Sequence, residues 1–174
     1  MGEERVERFE QIVLPHLDDA YTLARYLLRD EHDAQDAVQE SVLRALRSFE
    51  GFRSEDARAW LLTIVRNYCY TWHKGHRADR SSVPFTDDEA MEIADPRATD
   101  ALAIQSSERD RVRLAVNALP TELQEVIVLR ELNELSYREI SEVVGVPMGT
   151  VMSRLARARY RLADALGTDS QKAG

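Results

Sequence analysis

Three stretches of the first 80 residues place apolar side chains at every third or fourth position. They cover residues 9–28, 34–49 and 57–72. This spacing is typical of an amphipathic helix that buries one face. Asp30 or Asp33 could cap the second helix, and Ser54 or Asp56 could cap the third. The pattern predicts three helices, packed as a small bundle over residues 1–80.

The helical periodicity stops between residues 81 and 107. Pro84 and Pro96 would each interrupt a helix there, because proline lacks the backbone N–H. Eight acidic and only two basic residues lie between Thr86 and Asp110. We interpret residues 81–107 as an acidic linker, within which a short helix over residues 98–105 stays an open alternative.

Helical spacing returns over residues 108–170 and predicts a second unit of four helices. No alternating strand pattern competes with the helical one. The predicted fold class is therefore all-α, with an N-terminal helical bundle and a C-terminal four-helix domain joined by the acidic linker.

The segment of residues 135–162 has the turn chemistry of a helix-turn-helix unit. Ser136 and Glu139 have the spacing of a capping box at the start of its first helix. Gly145 suits the tight turn, and Pro147 suits the first position of the second helix. This second helix is the part of such a unit that enters the major groove of DNA.

The net charge of the chain, −8, hides a segregated distribution of charge. Four arginines and no acidic residue lie between Met148 and Ala163, on the predicted second helix. Hydroxyls and arginines there could contact phosphates and guanine edges. A solvated basic face is the alternative. The candidate residues are Thr150, Ser153, Arg154, Arg157 and Arg161.

The third predicted helix interleaves basic and aromatic residues, a combination that suits single-stranded or melting DNA. Tyr68 and Trp72 lie on the apolar stripe and belong in the core. Asn67 and Tyr70 lie off it, and with Arg66 they could contact a strand; a purely structural role for this helix is the alternative.

Two other clusters have weaker interpretations. Cys69, His73 and His76 are spaced along one helix and could hold zinc, but no fourth ligand is evident and surface residues are the preferred interpretation.

The second predicted helix carries an acidic strip that could dock a basic partner or simply face solvent. This strip consists of Asp33, Asp36, Gln39 and Glu40.

Composition narrows the function further. A single cysteine excludes an internal disulfide, and no apolar run approaches the roughly 20 residues of a membrane-spanning helix. The acidic N-terminus does not resemble a secretory signal, so we expect a cytoplasmic protein. No glycine-rich phosphate loop and no nucleophile with a supporting base are evident. We therefore expect neither an enzyme nor a bound cofactor.

Three blocks of sequence, DAQDAVQESVLRALRSF, FRSEDARAWLLTIVRNYCYTWHK and LSYREISEVVGVPMGTVMSRLARAR, resemble the extracytoplasmic-function sigma factors of the sigma-70 family. Their order and spacing match over nearly the whole chain. The resemblance implies a region 2 over residues 1–80 and a region 4 over residues 108–170. It implies a transcription factor that joins RNA polymerase core and directs it to particular promoters.

The resemblance also implies roles for residues. The acidic strip would dock the β-prime coiled coil of polymerase, with the β flap as a second core contact, and region 4 would read the distal promoter element. The loop of residues 49–57 would hold a flipped base of the proximal element. The residues implied in proximal-element binding and melting are Phe52, Arg53, Ser54, Arg66, Asn67, Tyr70 and Lys74. An anti-sigma factor would hold the protein inactive, and the acidic linker could mask the arginines or repel phosphates.

The chain departs from the family pattern at Met152, where similar sequences often carry lysine or arginine. Either its distal-element preference is altered, or Ser153, Arg154 and Arg157 carry more of the recognition. A stand-alone helix-turn-helix regulator is the alternative function, but the sequence offers no clear dimerisation helix.

Overall fold

The structure is a computed structural model that describes residues 1–53, 55–79 and 101–172. All regular elements in these residues are helical. The N-terminal bundle contains α1 (Gly2–Val13), α2 (Leu17–Leu28), α3 (Glu31–Ser48) and α4 (Ala57–Asp79). The C-terminal unit contains α5 (Ala101–Asn117), α6 (Thr121–Ile127), α7 (Tyr137–Val144) and α8 (Met148–Lys172). The all-α prediction with two helical domains is confirmed.

The first apolar stripe is two helices, and the prediction of one was wrong. A 3₁₀ turn, Leu14–His16, separates α1 from α2 and has Pro15 at its start. Proline cannot donate the backbone hydrogen bond that a continuous helix requires, so the chain bends here. Both helices nevertheless bury the predicted face, with Phe9 and Val13 on α1 and Ala20 and Ala24 on α2.

Local sequence signals set most helix ends where they were expected. The Asp30 carboxylate accepts a hydrogen bond from the Asp33 backbone N–H at 2.9 Å, which caps α3. Asp56 caps α4 in the same way through Ala59 N–H. Of the alternatives for this cap, Ser54 lies outside the described residues. The predicted linker lies outside them up to residue 100, and α5 begins at Ala101.

The C-terminal unit includes an irregular turn that the sequence pattern did not predict. A single π-helical turn, Val128–Leu132, follows α6 and ends at Asn133, whose backbone N–H bonds to Val128 O. Glu134 then has a φ of 57°, in the left-handed region. The turn reverses the chain toward α7 and places Asn133 beside the N-terminal bundle.

The two units pack against each other, and their buried apolar residues form one continuous cluster. Leu61 and Leu62 contribute from the N-terminal bundle, and Leu129 and Ile140 from the C-terminal unit. Helix α4 lies against α7, and α2 lies against α6 and the π turn. We call this contact the docking interface. None of the described helices is both long and apolar enough to cross a membrane.

Candidate polymerase and DNA interfaces

The helix-turn-helix unit forms as its turn chemistry predicted. Ser136 and Glu139 make both hydrogen bonds of a capping box at the start of α7. Gly145 ends α7 with a φ of 71°, a conformation that glycine adopts without the steric cost of a side chain. The Ser141 hydroxyl donates to Val146 O at 2.6 Å and ties the turn together. These bonds fix α8 relative to α7.

Helix α8 turns one face into the core and the other to solvent. Val151, Leu155 and Ala158 are buried. Ser153, Arg157 and Arg161 are exposed, whereas Thr150 is half-buried at the turn. Arg157 donates a 3.3 Å hydrogen bond to the Ser153 hydroxyl, one helical turn earlier. The exposed face therefore carries basic and hydroxyl groups on the helix that enters the major groove in helix-turn-helix proteins.

Two arginines of α8 lie beside carboxylates of the C-terminal unit. The Arg154 side chain is only 17% exposed, and its guanidinium lies 3.9 Å from Glu122 of α6. Arg159, which was not a candidate, bonds to Glu131 at 3.0 Å, and this carboxylate raises the pKa of Arg159. Within the described part of the chain, the α8 arginines that pair with a carboxylate are thus Arg154 and Arg159, and not the exposed Arg157 and Arg161.

Apolar side chains also reach solvent on α8. Met152 is 47% exposed and Met148 is 42% exposed, on the first two turns of the helix. Gly149 and Ala156, which are small, are exposed beside them. The position at which the chain departs from the family pattern therefore presents an apolar side chain on the surface that would meet base edges.

The acidic strip of α3 is partly exposed. Asp36 and Gln39 are exposed and Asp33 and Glu40 are half-buried, with Glu40 3.4 Å from Arg44 on the same helix. Leu43 is 42% exposed and stands one turn beyond Gln39 and Glu40 on this face. Sequence reasoning missed Leu43, although its spacing from Asp36 and Gln39 was visible.

The predicted base-binding loop borders a cavity. This cavity has a volume of about 330 Å³ and is lined by Arg5, Arg8, Phe49, Glu50 and Phe52, with Met1 at its edge. Phe52 is half-buried and its ring lies 4.6 Å from that of Trp60. Arg53 is exposed, and Ser54 lies outside the described residues. Arg5 is bonded to Glu50 at 2.9 Å, so Arg8 and the aromatic rings are the groups suited to hold a base and its phosphate backbone.

The remaining candidates for strand binding divide between two environments on α4. Asn67 and Lys74 are exposed. Arg66 and Tyr70 instead face the C-terminal unit, with the Arg66 guanidinium 4.2 Å from the Tyr70 ring centroid. Burial, followed by the nearby charge of Glu125, raises the pKa of Tyr70 to about 12. The structure therefore brings only part of this predicted surface to solvent.

Arg66 is held by an acidic residue of the C-terminal unit that sequence reasoning missed. Its Nε bonds to Glu125 Oε2 at 2.7 Å and its Nη2 to Glu125 Oε1 at 3.2 Å, a bidentate pair. Glu125 is fully buried and the Arg66 side chain is 19% exposed. The only signal in the sequence was the pair Gln124 and Glu125 inside the apolar run LQEVIVL.

Further polar contacts cross the docking interface. Arg58 of α4 donates to Glu139 Oε2 at 3.2 Å and to Asn133 O at 3.3 Å. Asn133, which is 1% exposed, donates through Nδ2 to the Asp19 backbone O at 3.0 Å and to Asp19 Oδ1 at 3.2 Å. Each of these contacts joins positions more than 70 residues apart in the chain.

A pair of carboxyl groups also meets across this interface. Burial, and then a hydrogen bond to Glu139, raises the pKa of Asp56. Burial opposes ionisation of Glu139 as well, but hydrogen bonds from Asp56, from Ser136 and from Arg58 outweigh it and hold the Glu139 pKa at about 2. Glu139 is therefore the ionised partner of the pair.

The three residues considered for zinc do not converge. Cys69 is buried, and burial raises its pKa to about 12. His73 Nε2 lies 2.6 Å from Leu27 O, and the His76 ring stacks on Trp72 at 3.9 Å. The described residues contain no group of three or more histidine, cysteine or acidic side chains that could hold a metal ion.

Comparison with known proteins places both units in a family. Residues 12–78 match the family described as sigma-70 region 2, and residues 109–162 match sigma-70, region 4. An ECF RNA polymerase sigma-E factor of Haemophilus influenzae is 38% identical over 144 residues, which cover 79% of this chain and 75% of that protein.

Two other similar proteins extend over most of this chain. The ECF RNA polymerase sigma factor SigE of Mycolicibacterium smegmatis is 30% identical over 94% of this chain, which spans 63% of the length of that relative. The sigma factor RpoE of Bartonella quintana, solved in complex with the anti-sigma factor NepR, superposes with a TM-score of 0.72 at 25% identity. The superposition covers 94% of this chain and 99% of RpoE.

Proposed function

The chain belongs to the extracytoplasmic-function sigma factors of the sigma-70 family, and we propose that it binds RNA polymerase core and directs it to particular promoters. The observation that carries this proposal is the helix-turn-helix unit with Ser153, Arg157 and Arg161 exposed on α8. In this function the protein supplies binding and positioning, and polymerase supplies the chemistry of RNA synthesis.

Each surface described above has a place in the proposed function. The face of α8 would read the distal promoter element, while the cavity beside Phe52 would receive a base of the proximal element. Asn67 and Lys74, together with Arg66 and Tyr70, would hold the separated strand. Two tethered contacts on one DNA molecule strengthen each other, because the first raises the effective concentration of the second.

The exposed face of α3 is the proposed contact with polymerase core. Asp36, Gln39 and Glu40 lie one to two helical turns before the exposed Leu43, so an apolar position adjoins a polar, acidic stretch. Protein interfaces have this composition, with apolar contacts at the centre and charges that guide association at the edge. A helical, basic partner such as the coiled coil of the β-prime subunit would match it.

An inhibitory partner is also part of the proposal. The RpoE structure contains the anti-sigma factor NepR, and RpoE superposes along nearly its whole length on this chain. We expect a comparable protein to bind this chain and withhold it from polymerase. The site of action is the cytoplasm, where a bacterial cell keeps its polymerase and chromosome.

Transcription in vitro tests the function directly. Polymerase core would be incubated with the purified chain and a template library that has a randomised segment upstream of a fixed transcribed region. We expect new RNA 5′ ends only when core and chain are both present, from templates that share two spaced elements. A chain with both Gln39→Ala and Glu40→Ala is the control for core binding.

Two outcomes would contradict the proposal. Identical start sites with and without the chain would mean that it does not direct initiation. Tight, sequence-specific binding to duplex DNA without core, combined with no effect on initiation by core, would instead support the stand-alone regulator.

A further inference from the structure

The docking interface covers part of the surface that would hold the promoter strand. Helix α4 presents Arg66 and Tyr70 toward the C-terminal unit and leaves Asn67 and Lys74 in solvent. A strand that ran along α4 would need all four side chains. With the two units packed together, half of this set is unavailable to it.

The contact that covers Arg66 resembles the contact that Arg66 would make to DNA. Two oxygens of Glu125 receive the Nε and Nη2 hydrogen bonds, at 2.7 and 3.2 Å. A guanidinium binds two oxygens of a phosphate with the same bidentate geometry. The carboxylate of Glu125 therefore occupies the position that a phosphate of the strand would take.

Because Glu125 is buried, the Arg66–Glu125 pair is needed when the two units are docked and is not needed when they are separated. Glu125 has no exposed surface in the docked arrangement, so its charge depends on Arg66 for compensation. Removing one partner from a buried ion pair is strongly destabilising, because the other charge is left unpaired in a medium of low polarity. If the units separate, both groups become hydrated and Arg66 is freed for a different anion.

We propose that Glu125 of region 4 acts as an internal phosphate mimic that binds Arg66 of region 2 and closes the strand-binding surface of the free protein. The inference rests on the proposed function for the identity of the competing ligand, which is single-stranded DNA. Arg58 with Glu139, and Asn133 with Asp19, hold the closed arrangement around this pair. Polymerase would then have to separate the two regions before α4 could take up the strand.

A closed state of this kind has a quantitative consequence. The apparent affinity for a strand equals the intrinsic affinity multiplied by the fraction of protein that is open. Weakening the closed state without touching the DNA surface must therefore tighten binding. The substitution Glu125→Gln does this, since it removes the negative charge and keeps nearly the same shape while Arg66 is unchanged.

The first experiment measures binding of the full chain to a fluorescent single-stranded oligodeoxynucleotide in the absence of polymerase. Relative to the unaltered chain, Glu125→Gln should bind at least about tenfold more tightly. Glu142→Gln is the matched control, because it removes the same charge from an exposed position of α7 and should change binding little. Equal affinities for the two variants would overturn the proposal.

The second experiment locks the closed state. Asp19→Cys combined with Asn133→Cys places one thiol on each side of the docking interface, at residues whose side chains are in contact, and the native Cys69 is buried. A short bifunctional thiol crosslinker with a reducible spacer joins the two. The crosslinked double variant should bind the oligonucleotide at least about tenfold more weakly than the same variant before crosslinking, and a reductant that cleaves the spacer should restore binding. Crosslinked protein that binds as tightly as the uncrosslinked protein would contradict the closed state.

The outcome is separable from that of the proposed function. If Glu125→Gln tightens strand binding but the chain does not direct initiation by polymerase core, the closed state stands and the sigma-factor function fails. If initiation is core-dependent and Glu125→Gln binds the strand no more tightly than Glu142→Gln, the function stands and the closed state fails.

Discussion

The two surfaces proposed to touch promoter DNA differ in how far the protein's own structure covers them. On α8, Ser153, Arg157 and Arg161 face solvent. On α4, Arg66 is held by a buried carboxylate and Tyr70 packs beside it. The surface that reads duplex DNA can stay open while the surface that binds a single strand is closed, because the two surfaces bind DNA in different states. Duplex DNA is available for reading at any time, whereas a separated strand appears only once polymerase has engaged the promoter.

The largest expected effect comes from removing the arginine at the closed surface. Arg66→Ala leaves Glu125 buried without its partner, so the free energy of docking between the two units should fall by about 3–5 kcal/mol. A pair of fluorophores, one on each unit, would report the docked fraction. Because the same change removes a strand contact, oligonucleotide binding should not improve, in contrast to Glu125→Gln.

Lys74→Ala is the control for this substitution. Lys74 is exposed on α4 and lies outside the ion pair, so its loss should weaken strand binding and leave the docked fraction unchanged. If Arg66→Ala and Lys74→Ala left the docked fraction equally high, the ion pair would have no part in docking.

The open surface should respond to substitutions in a different way. Arg157→Ala should weaken binding to the distal promoter element by about 1–3 kcal/mol, the usual range for a lost base contact. Its effect should be confined to that element and leave docking unchanged. Arg159→Ala is the comparison, because Arg159 is already bound to Glu131 at 3.0 Å and should matter less to DNA. Equal losses from the two variants would refute the distinction between free and paired arginines.

The polymerase-facing strip provides a third test. Gln39→Ala combined with Glu40→Ala should lower affinity for core by about 1 kcal/mol or more, while the thermal midpoint of unfolding stays the same. The partly exposed i,i+4 pair of Glu40 with Arg44 contributes only about 0.3–0.5 kcal/mol to stability, so its loss should leave the thermal midpoint nearly the same. A protein that lost its fold after this change would show that the strip is structural. Glu3→Ala with Glu7→Ala, on the exposed face of α1, is the control.

The exposed Met152 predicts a preference for thymine in the distal promoter element, which an arginine or lysine at this position would not give. The only apolar group on a base edge in the major groove is the methyl group of thymine. If Met152 contacts one, replacing that thymine by deoxyuridine should cost about 0.8 kcal/mol, or roughly fourfold in affinity. Scanning the distal element with single replacements measures this. Met152→Lys should abolish the sensitivity, and a scan without any sensitive position would remove Met152 from recognition.

The smallest effect concerns pH and the carboxyl pair across the docking interface. The docked state raises the pKa of Asp56, so its protonated form stabilises docking at low pH and this contribution is lost as pH rises through the raised pKa. Glu139, with a pKa near 2, stays ionised above about pH 5, and Arg58 faces both carboxyls. Asp56→Asn keeps the cap of α4 and can still donate to Glu139.

For that reason Asp56→Asn should raise the docked fraction at neutral pH and flatten the decline of that fraction as pH rises above about 4, the ordinary pKa of an aspartate. Intramolecular fluorescence transfer in buffers of constant ionic strength measures both. If the docked fraction fell with rising pH as steeply in the variant as in the unaltered chain, a group other than Asp56 would be responsible for the pH dependence.

Sequence periodicity and turn chemistry were sufficient for most of the fold. The apolar stripes located the helices, and Ser136, Glu139 and Gly145 predicted the helix-turn-helix that the structure contains. The apolar spacing did not predict the helix break at Pro15. An apolar stripe can continue across such a break, because burial depends on where a side chain lies and not on an unbroken helix. The exposed candidates on α3 and α8 also followed from helical spacing.

The sequence by itself determined which residues form helices, where the charges lie and which family the chain resembles, because these depend on neighbours a few positions apart. Only the tertiary structure decided that Arg154 lies beside Glu122 and that Arg66 is bound by Glu125, a residue 59 positions away. The sequence alone does not show whether an arginine binds a phosphate or a carboxylate. What it meets is set by the packing of separate helices, and helical periodicity carries no information about that.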